Sequence, residues 1–394
     1  SVAANQMWND TTSITKMETA AGTREQLRTT NRTSQMFSPR LQYELDDQQK
    51  LIAELFYRNN KSTGVRGDQI QDDKNDSIRL NTRYERKDKD LSDKVRLTVE
   101  HQTETQLTRS PLNSIYTDET VDEYGLAYDG VRKFDQTRQI KFGVSANNSQ
   151  LGSNVSQSLD EQRYALYSEG SWRFTDRQTV TLGARQEWLD RSGLVDYQDH
   201  HLSPVLAYRF DLTNQWSIQT NLSQAFRSPH TDRLIPNVTV STDSDAGSLN
   251  NPDRGGNPNL KPEKIKAFES TLAFDSASGG VNLTAYHREI KDYIERVIAL
   301  EGSRYVERPQ NQNQATTYGV EFSGRYALKQ TEAGHAFMLN GQVSTVRATI
   351  EDAQHNEAHD RLVQLGLYPE IGGLALTRKE RHIDVVVARN GISG

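Results

Sequence analysis

Apolar and polar residues alternate with a period of two along most of the chain, which is the pattern of a β-strand with one apolar face. Tyr318, Val320 and Phe322 share one face, for example, while Glu321 and Ser323 occupy the other. About fourteen segments follow this pattern, and they predict an all-β, antiparallel protein. The segments lie at roughly 35–45, 48–60, 76–87, 92–106, 119–131, 135–147, 162–174, 178–190, 202–211, 215–227, 263–274, 281–296, 315–328 and 336–350.

The connections between these segments alternate in length. Short turns on one side and long polar loops on the other are typical of a bacterial outer-membrane barrel. A soluble sandwich or a β-propeller does not predict this alternation. We therefore expect a transmembrane β-barrel whose polar face lines a lumen that is water-filled or plugged. The short turns fall at 46–48, 87–93, 175–178, 211–215, 275–280 and 329–335, and the long loops at 61–75, 107–118, 148–161, 191–201, 228–262 and 297–314.

Composition agrees with this fold class. Only 34% of the 394 residues are hydrophobic, and the mean hydropathy is -0.80. No run of eighteen apolar residues occurs, which excludes a transmembrane helix but leaves strands of about 9–11 residues with one apolar face. The 16 Tyr, 11 Phe and 4 Trp argue against disorder.

Charge and motif content exclude several function classes. The net charge of -6 gives no basic field for a nucleic-acid partner. The chain has no Cys, so disulfides, thiol nucleophiles and cysteine zinc sites are excluded. It also lacks a phosphate-binding Gly loop and the HExxH and GxSxG motifs. We expect no enzyme activity and no cofactor.

Four motifs, in order, resemble the barrel of a TonB-dependent outer-membrane receptor of the siderophore-receptor type. They are AFRSP at 225–229, NPNLKPEK at 257–264, VNLTAYHREIKDYI at 281–294 and QATTYGVEFSGRYAL at 314–328. The resemblance implies a complete receptor with a barrel of roughly 22 strands and a plug domain. It also implies uptake of a scarce ligand such as a ferric siderophore, haem or cobalamin, driven by the TonB energy-coupling complex.

The chain departs from that family at both ends. No plug domain and no energy-coupling box precede Ser1, and residues 351–394 lose the alternation. We expect a barrel portion at 35–350, an unassigned lead-in at 1–34, and a truncated or frame-altered segment at 351–394. The chain is thus expected to be a fragment or a processed chain. The region that contacts the TonB complex would be absent from it.

The first functional hypothesis is an outer-membrane receptor for energy-coupled uptake of a ferric chelate, with outer-membrane lipid around it. The alternatives are a passive porin-like channel, a non-functional receptor fragment and, third, an outer-membrane enzyme. Candidate ligand-binding residues are cationic or aromatic and lie in the long loops, where they suit an anionic ferric chelate. They are Arg227, His230, Arg233, Arg304 and Tyr305. A structural alternative pairs Arg227 with a strand carboxylate such as Glu269.

Two further groups have weaker metal-binding signals. His200 and His201 lie in an expected extracellular loop and could ligate haem iron or zinc, although exposed polar residues are the better interpretation. An acidic stretch could hold calcium, but its spacing does not fit the twelve-residue calcium loop, so a solvated loop is expected. That stretch comprises Asp243, Asp245, Asn250, Asn251 and Asp253.

Overall fold

The computed structural model describes most of the chain and divides it into two compact units. The first unit comprises Ser1–Asp135, Ile140–Ser168 and Gln186–His200, and the second comprises Gln136–Gln139, Glu169–Arg185 and His201–Gly394. The described residues are 2–19, 22–66, 69–109, 114–154, 156–240, 246–312, 314–328, 336–351 and 384–390.

Long antiparallel strands build the first unit. Strands β1 to β7 follow one another in the sheet in chain order, each beside its sequence neighbour. They are β1 (Val2–Thr19), β2 (Gly22–Glu44), β3 (Gln49–Arg66), β4 (Gln69–Lys87), β5 (Leu91–Arg109), β6 (Ser114–Lys133) and β7 (Arg138–Ser153). Strands β8 (Leu159–Thr175), β9 (Gln178–Gly193) and β10 (Tyr197–Asp211) contribute residues to both units, and so do the first two residues of β7.

The second unit continues with longer strands and smaller elements between them. In chain order they are β11 (Trp216–Arg227), α1 (Thr231–Leu234), β12 (Val238–Thr239), β13 (Asp253–Gly255), β14 (Glu263–Ser276), β15 (Gly279–Lys291), β16 (Ile294–Glu301), β17 (Arg304–Asn311), β18 (Gln314–Leu328), β19 (Ala336–Glu351) and β20 (Asp384–Asn390). No helix of the described residues is long and apolar enough to cross a membrane.

Two sheets organise these elements. In one, β10, β11, β14, β15, β18, β19 and β20 pair successively and antiparallel. The other, which we call the small sheet, has the order β12–β13–β17–β16. Within the small sheet, β13 and β17 run parallel, so two distant loop segments meet there in register.

The strands of the second unit expose their apolar face. Leu222 on β11 lies opposite Phe268 on β14, and these side chains are 46% and 43% exposed. Tyr318 and Phe322 on β18 are also exposed. Large apolar side chains in such a continuous row indicate a surface that meets something other than water.

In the first unit, polar side chains are buried on the strand face opposite the exposed apolar side chains. Ser77 and Glu100 are buried, and the Ser77 hydroxyl donates a hydrogen bond of 3.0 Å to the Glu100 carboxylate. Arg79 donates to the same carboxylate at 2.7 Å. The buried charge of Glu100 is therefore paired, which offsets the cost of its desolvation.

The structure confirms the order of the strands but moves their ends. The expected loops at 61–75 and 107–118 are largely strand, since β3, β4 and β5 pair well into them; Lys61 lies opposite Lys74, for example. Most side chains on both faces are polar there, so the period-two signal weakens while the backbone ladder continues. The prediction of a loop at 191–201 is also wrong for most of that range. His200 and His201, for example, lie in β10.

The strand expected at 281–296 divides in two. β15 ends at Lys291, and the chain turns at Asp292, which has a φ of 53°, before β16 begins in the small sheet. The expected loop at 297–314 contains most of the β16–β17 hairpin. β1 and the first part of β2 lie within the lead-in at 1–34. The domain division at 35 and 350 stays a prediction, and the turn expected at 329–335 lies outside the described residues.

Candidate ligand-binding site

The candidate site lies where four strands of the second unit end together. Arg227 at the end of β11 is opposite Glu263 at the start of β14, and Lys291 at the end of β15 is opposite Gln314 at the start of β18. The two connections that leave this end carry the small sheet. The long loops are thus a folded surface rather than open chain.

A buried carboxylate ties the strands to the small sheet. Glu263 is fully buried; one of its oxygens accepts a hydrogen bond from Arg227 Nε, and the other accepts one of 2.8 Å from the backbone N–H of Ile294, the first residue of β16. Arg227 does pair with a strand carboxylate, as the structural alternative predicts, but the carboxylate is that of Glu263. Glu269 lies opposite Asn221 instead.

Arg304, the first residue of β17, binds the buried carboxylate at the start of β13. Its Nε and Nη2 donate hydrogen bonds of 2.5 and 2.8 Å to the two oxygens of Asp253, which is buried. The hydrogen-bonded carboxylate raises the pKa of Arg304. Tyr305, the next residue, donates its backbone N–H to the carbonyl of Gly247 at 2.8 Å. The contacts of Arg304 therefore serve the fold of the loop.

Arg308 makes a second clamp at the hairpin turn. Its Nε and Nη2 donate to Glu301 at 2.7 and 3.1 Å, and its Nη1 donates to the carbonyl oxygens of Pro236 and Gly256 at 3.1 and 2.6 Å. The guanidinium lowers the pKa of Glu301. One side chain thus joins the β16–β17 hairpin to the segment before β14.

The NPNLKPE motif is anchored to the Asn-rich segment that precedes β18. Asn257 Nδ2 donates to the carbonyl of Pro309 at 3.1 Å. Asn311 accepts a hydrogen bond of 2.8 Å from the Lys261 N–H and donates one of 2.9 Å back to the Lys261 carbonyl. The residues that carry the sequence resemblance therefore hold the loops together.

Two other arginines share one carboxylate on the small sheet. Arg254 and Arg296 each lie 3.6 Å from Glu307, and their side chains are 73% and 44% exposed. At that distance a hydrogen bond is weak, so both guanidinium groups keep donors for another acceptor. One carboxylate cannot neutralise two guanidinium groups, and a local positive charge remains.

The other expected ligand residues are placed nearby. His230 is highly exposed, and its Nδ1 is 2.6 Å from an oxygen of Asp232. The carbonyl of Arg233, in α1, accepts a hydrogen bond of 2.7 Å from the Asn257 N–H. The His201 ring stacks on Phe226 with a centroid separation of 4.8 Å.

The acidic stretch does not assemble as a cluster in the described part of the chain, where no group of three or more His, Asp or Glu residues is arranged for a metal ion. Asp253 is engaged with Arg304, while Asp243 and Asp245 lie outside the described residues.

Sequence reasoning missed Arg254 and Arg296. Arg254 follows Asp253 in the stretch for which the sequence predicts a solvated acidic loop, and Arg296 is the last residue of the strand predicted at 281–296. Their approach depends on the parallel pairing of β13 with β17, which places Arg254 opposite Glu307. No local pattern encodes that pairing.

The chain matches a known protein family over most of its length. A family model described as "TonB dependent receptor-like, beta-barrel" matches residues 4–362. The chain belongs to the TonB-dependent receptor β-barrel family. The predicted all-β, antiparallel barrel fold and the bacterial outer-membrane location are confirmed. The family consists of outer-membrane transporters and receptors.

Individual relatives agree with this assignment. The iron-regulated outer membrane virulence protein of Vibrio cholerae serotype O1 is 27% identical over 165 residues, which cover 40% of this chain and 23% of that protein. The chain therefore matches about a quarter of the length of that relative.

Two solved structures share the fold. The siderophore receptor PirA from Pseudomonas aeruginosa superposes with a TM-score of 0.53 at 16% identity, over 90% of this chain and 70% of that one. The alcaligin outer-membrane receptor FauA from Bordetella pertussis has a TM-score of 0.57 at 12% identity, over 91% and 63% respectively.

Proposed function

We propose that this chain is the barrel part of an outer-membrane receptor for energy-coupled uptake of an anionic ferric chelate of the siderophore class. In this proposal Arg254 and Arg296 on the small sheet contact the ligand. Arg227 and Arg304 shape the surface beneath them. His230, Arg233 and Tyr305 are further candidate contacts at its edge.

The observation that carries the proposal is the sharing of Glu307 by two exposed guanidinium groups. Planar guanidinium donors match the paired oxygen atoms of catecholate, hydroxamate or carboxylate groups. Ion pairs longer than 3.5 Å at an exposed site contribute little stability of their own. The two arginines would therefore lose little stability on leaving Glu307 to bind a ligand.

The order of the loops favours a receptor over a passive channel. A channel needs only a clear passage, whereas specific binding needs a surface fixed in advance. Buried Asp253 and Glu263 fix the small sheet through Arg304, Arg227 and the Ile294 amide. The name of the Vibrio cholerae relative, an iron-regulated outer membrane protein, and that of the structural neighbour PirA, a siderophore receptor, support an iron chelate as the cargo. Coupling to the TonB complex is proposed for the complete protein.

Binding of radioactive ferric chelates to the intact receptor tests the proposal. The panel contains one ferric catecholate and one ferric hydroxamate, measured on the wild type and on Arg254→Gln combined with Arg296→Gln. We expect saturable binding of at least one chelate by the wild type, and a Kd raised about tenfold or more in the double variant. Arg325→Gln is the matched control, because Arg325 is exposed and lies beside the short-turn residue Asp275 at 3.9 Å.

Unchanged affinity in the double variant would remove these two arginines from the site. Saturable binding of neither chelate would contradict the siderophore assignment. Uptake by cells that rises linearly with chelate concentration, and continues after the proton gradient is abolished, would favour the porin-like channel.

A further inference from the structure

We propose that three lysines on the exposed apolar face of the second unit bind the phosphate group of a membrane lipid, with its acyl chain in the apolar groove beside them. We call Lys264, Lys266 and Lys291 the lysine patch. This proposal is independent of the ligand proposed for the small sheet.

Strand register puts the lysine patch at one end of the apolar face. Side chains two residues apart on a strand point to the same side, so Lys264 and Lys266 share a face with Phe268. Lys291 lies opposite Lys264 on the neighbouring strand. Going from Phe268 toward the strand ends, the face changes from apolar to cationic within two positions.

The charges of the lysine patch are poorly compensated. Lys264 and Lys291 are directly opposite each other, an arrangement of like charges that destabilises an antiparallel pair. Glu289 lies opposite Lys266, but its carboxylate is 3.4 Å from Lys291 instead. Among the described residues Lys266 has no ion-pair partner, and Lys264 Nζ lies over the Phe226 ring at 5.6 Å. A bound anion would relieve this repulsion.

An apolar groove of about 440 Å³ adjoins the patch. Leu182, Leu206, Leu222 and Phe268 line it, and Lys266 lies at its polar end together with Glu289. A water-soluble anion would use the lysines but leave the groove empty. A lipid with a phosphate headgroup fills both, because its acyl chain meets aliphatic side chains while its phosphate meets the ammonium groups.

The test is retention of lipid by the full chain in a neutral detergent, measured by native mass spectrometry. The probe is phosphatidylglycerol, and phosphatidylcholine is the zwitterionic comparison. We expect preferential retention of phosphatidylglycerol by the wild type, and an apparent Kd raised at least tenfold when all three lysines are replaced by Gln. Lys87, Lys89 and Lys133 replaced together by Gln give the matched control, because they are exposed lysines at the short-turn end of the first unit.

Two further measurements separate the lipid from other anions and from misfolding. Inorganic phosphate and glycerophosphoglycerol, which has no acyl chain, are expected to compete at least a hundredfold less well than the lipid. Lys266→Gln alone is expected to weaken retention two- to fivefold without affecting the fold, because this side chain is exposed and makes no ion pair within the described part of the chain. Equal retention by the patch variant and the control variant, or equal competition by inorganic phosphate, would overturn the proposal.

Discussion

The guanidinium of Arg304 meets the buried carboxylate of Asp253 across 51 positions of the chain, with hydrogen bonds from Nε at 2.5 Å and from Nη2 at 2.8 Å. This bidentate pair joins the turn of the β16–β17 hairpin to the connection between β11 and β14. Because its carboxylate is buried and both of its oxygens accept from one guanidinium, the pair is expected to contribute strongly to the order of the small sheet.

Asp253→Asn should loosen that sheet. The amide keeps one acceptor but loses the charge, and a half-exposed guanidinium is left poorly paired, which costs about 1–3 kcal/mol locally. Hydrogen exchange at the Tyr305 amide, bonded to the Gly247 carbonyl, should accelerate about 5- to 150-fold. Arg254→Gln, which removes an exposed neighbour, should leave that rate within about twofold. Similar rates in both variants would contradict the central role of the pair.

Gly247→Ala should damage the same contact from the other side. Gly247 has a φ of 76°, and a Cβ built there would lie 2.6 Å from Arg304 Cζ. Gly302 is a matched control, because its φ is 64° but nothing lies within 4 Å of its Cβ position.

Both substitutions carry the backbone cost of a left-handed residue, about 1 kcal/mol. Only Gly247→Ala also displaces the guanidinium. We expect protease nicking near residue 247 to become several times faster in Gly247→Ala than in Gly302→Ala. Equal nicking would show that backbone strain alone sets the effect.

Glu263→Gln should separate the small sheet from the strands below it. Glu263 is fully buried, so the loss of its charge leaves Arg227 without its partner and weakens the bond to the Ile294 amide. The expected local destabilisation is about 2–4 kcal/mol, read from exchange of the Ile294 amide.

A double-variant cycle with Arg227→Gln isolates the pair. Coupling of at least about 1 kcal/mol is expected between Glu263 and Arg227. Glu307→Gln, whose side chain is 20% exposed and whose contacts are 3.6 Å long, should change the Ile294 amide little. A coupling energy near zero would show that the Arg227–Glu263 pair does not stabilise this region.

Acid should release the β16–β17 turn. Arg308 lowers the pKa of Glu301 from its ordinary value of about 4.5. The ion pair is therefore fully formed above that value, and it is lost as the pH falls through the lowered folded-state pKa. The chain has no Cys, so a spin label on Ser303→Cys reports this turn alone.

We expect the label to become mobile only below the ordinary glutamate range. In Glu301→Gln it should be mobile at neutral pH as well. A spectrum that is unchanged by acid, or identical in the two proteins at neutral pH, would show that the Arg308 contact does not order the turn.

The long strands could be predicted from sequence, because a strand with one apolar face has apolar residues at every second position. The ends of these strands could not be predicted. Beyond the apolar band most side chains on both strand faces are polar, as where Lys61 pairs with Lys74. The small sheet was missed entirely. Its central pairing, β13 with β17, joins residues as distant in sequence as Arg254 and Glu307, and short strands of mixed polarity carry no periodic signal.

The family motifs could be recognised, but their physical role could not. AFRSP and NPNLKPE are separated by a long connection, yet Arg227 of the first donates a hydrogen bond to the buried Glu263 of the second. A pairing of Arg227 with a carboxylate was within reach of sequence reasoning. The choice of Glu263 over Glu269 depended on register, which alternation alone does not fix.

The parallel pairing of β13 with β17 also implies an order of assembly. The chain between Asp253 and Val306 turns back through the β14–β15 hairpin. Closing that hairpin shortens the effective loop between the two strands and lowers the entropy cost of joining them. We therefore expect the small sheet to form late in folding, on a hairpin already in place.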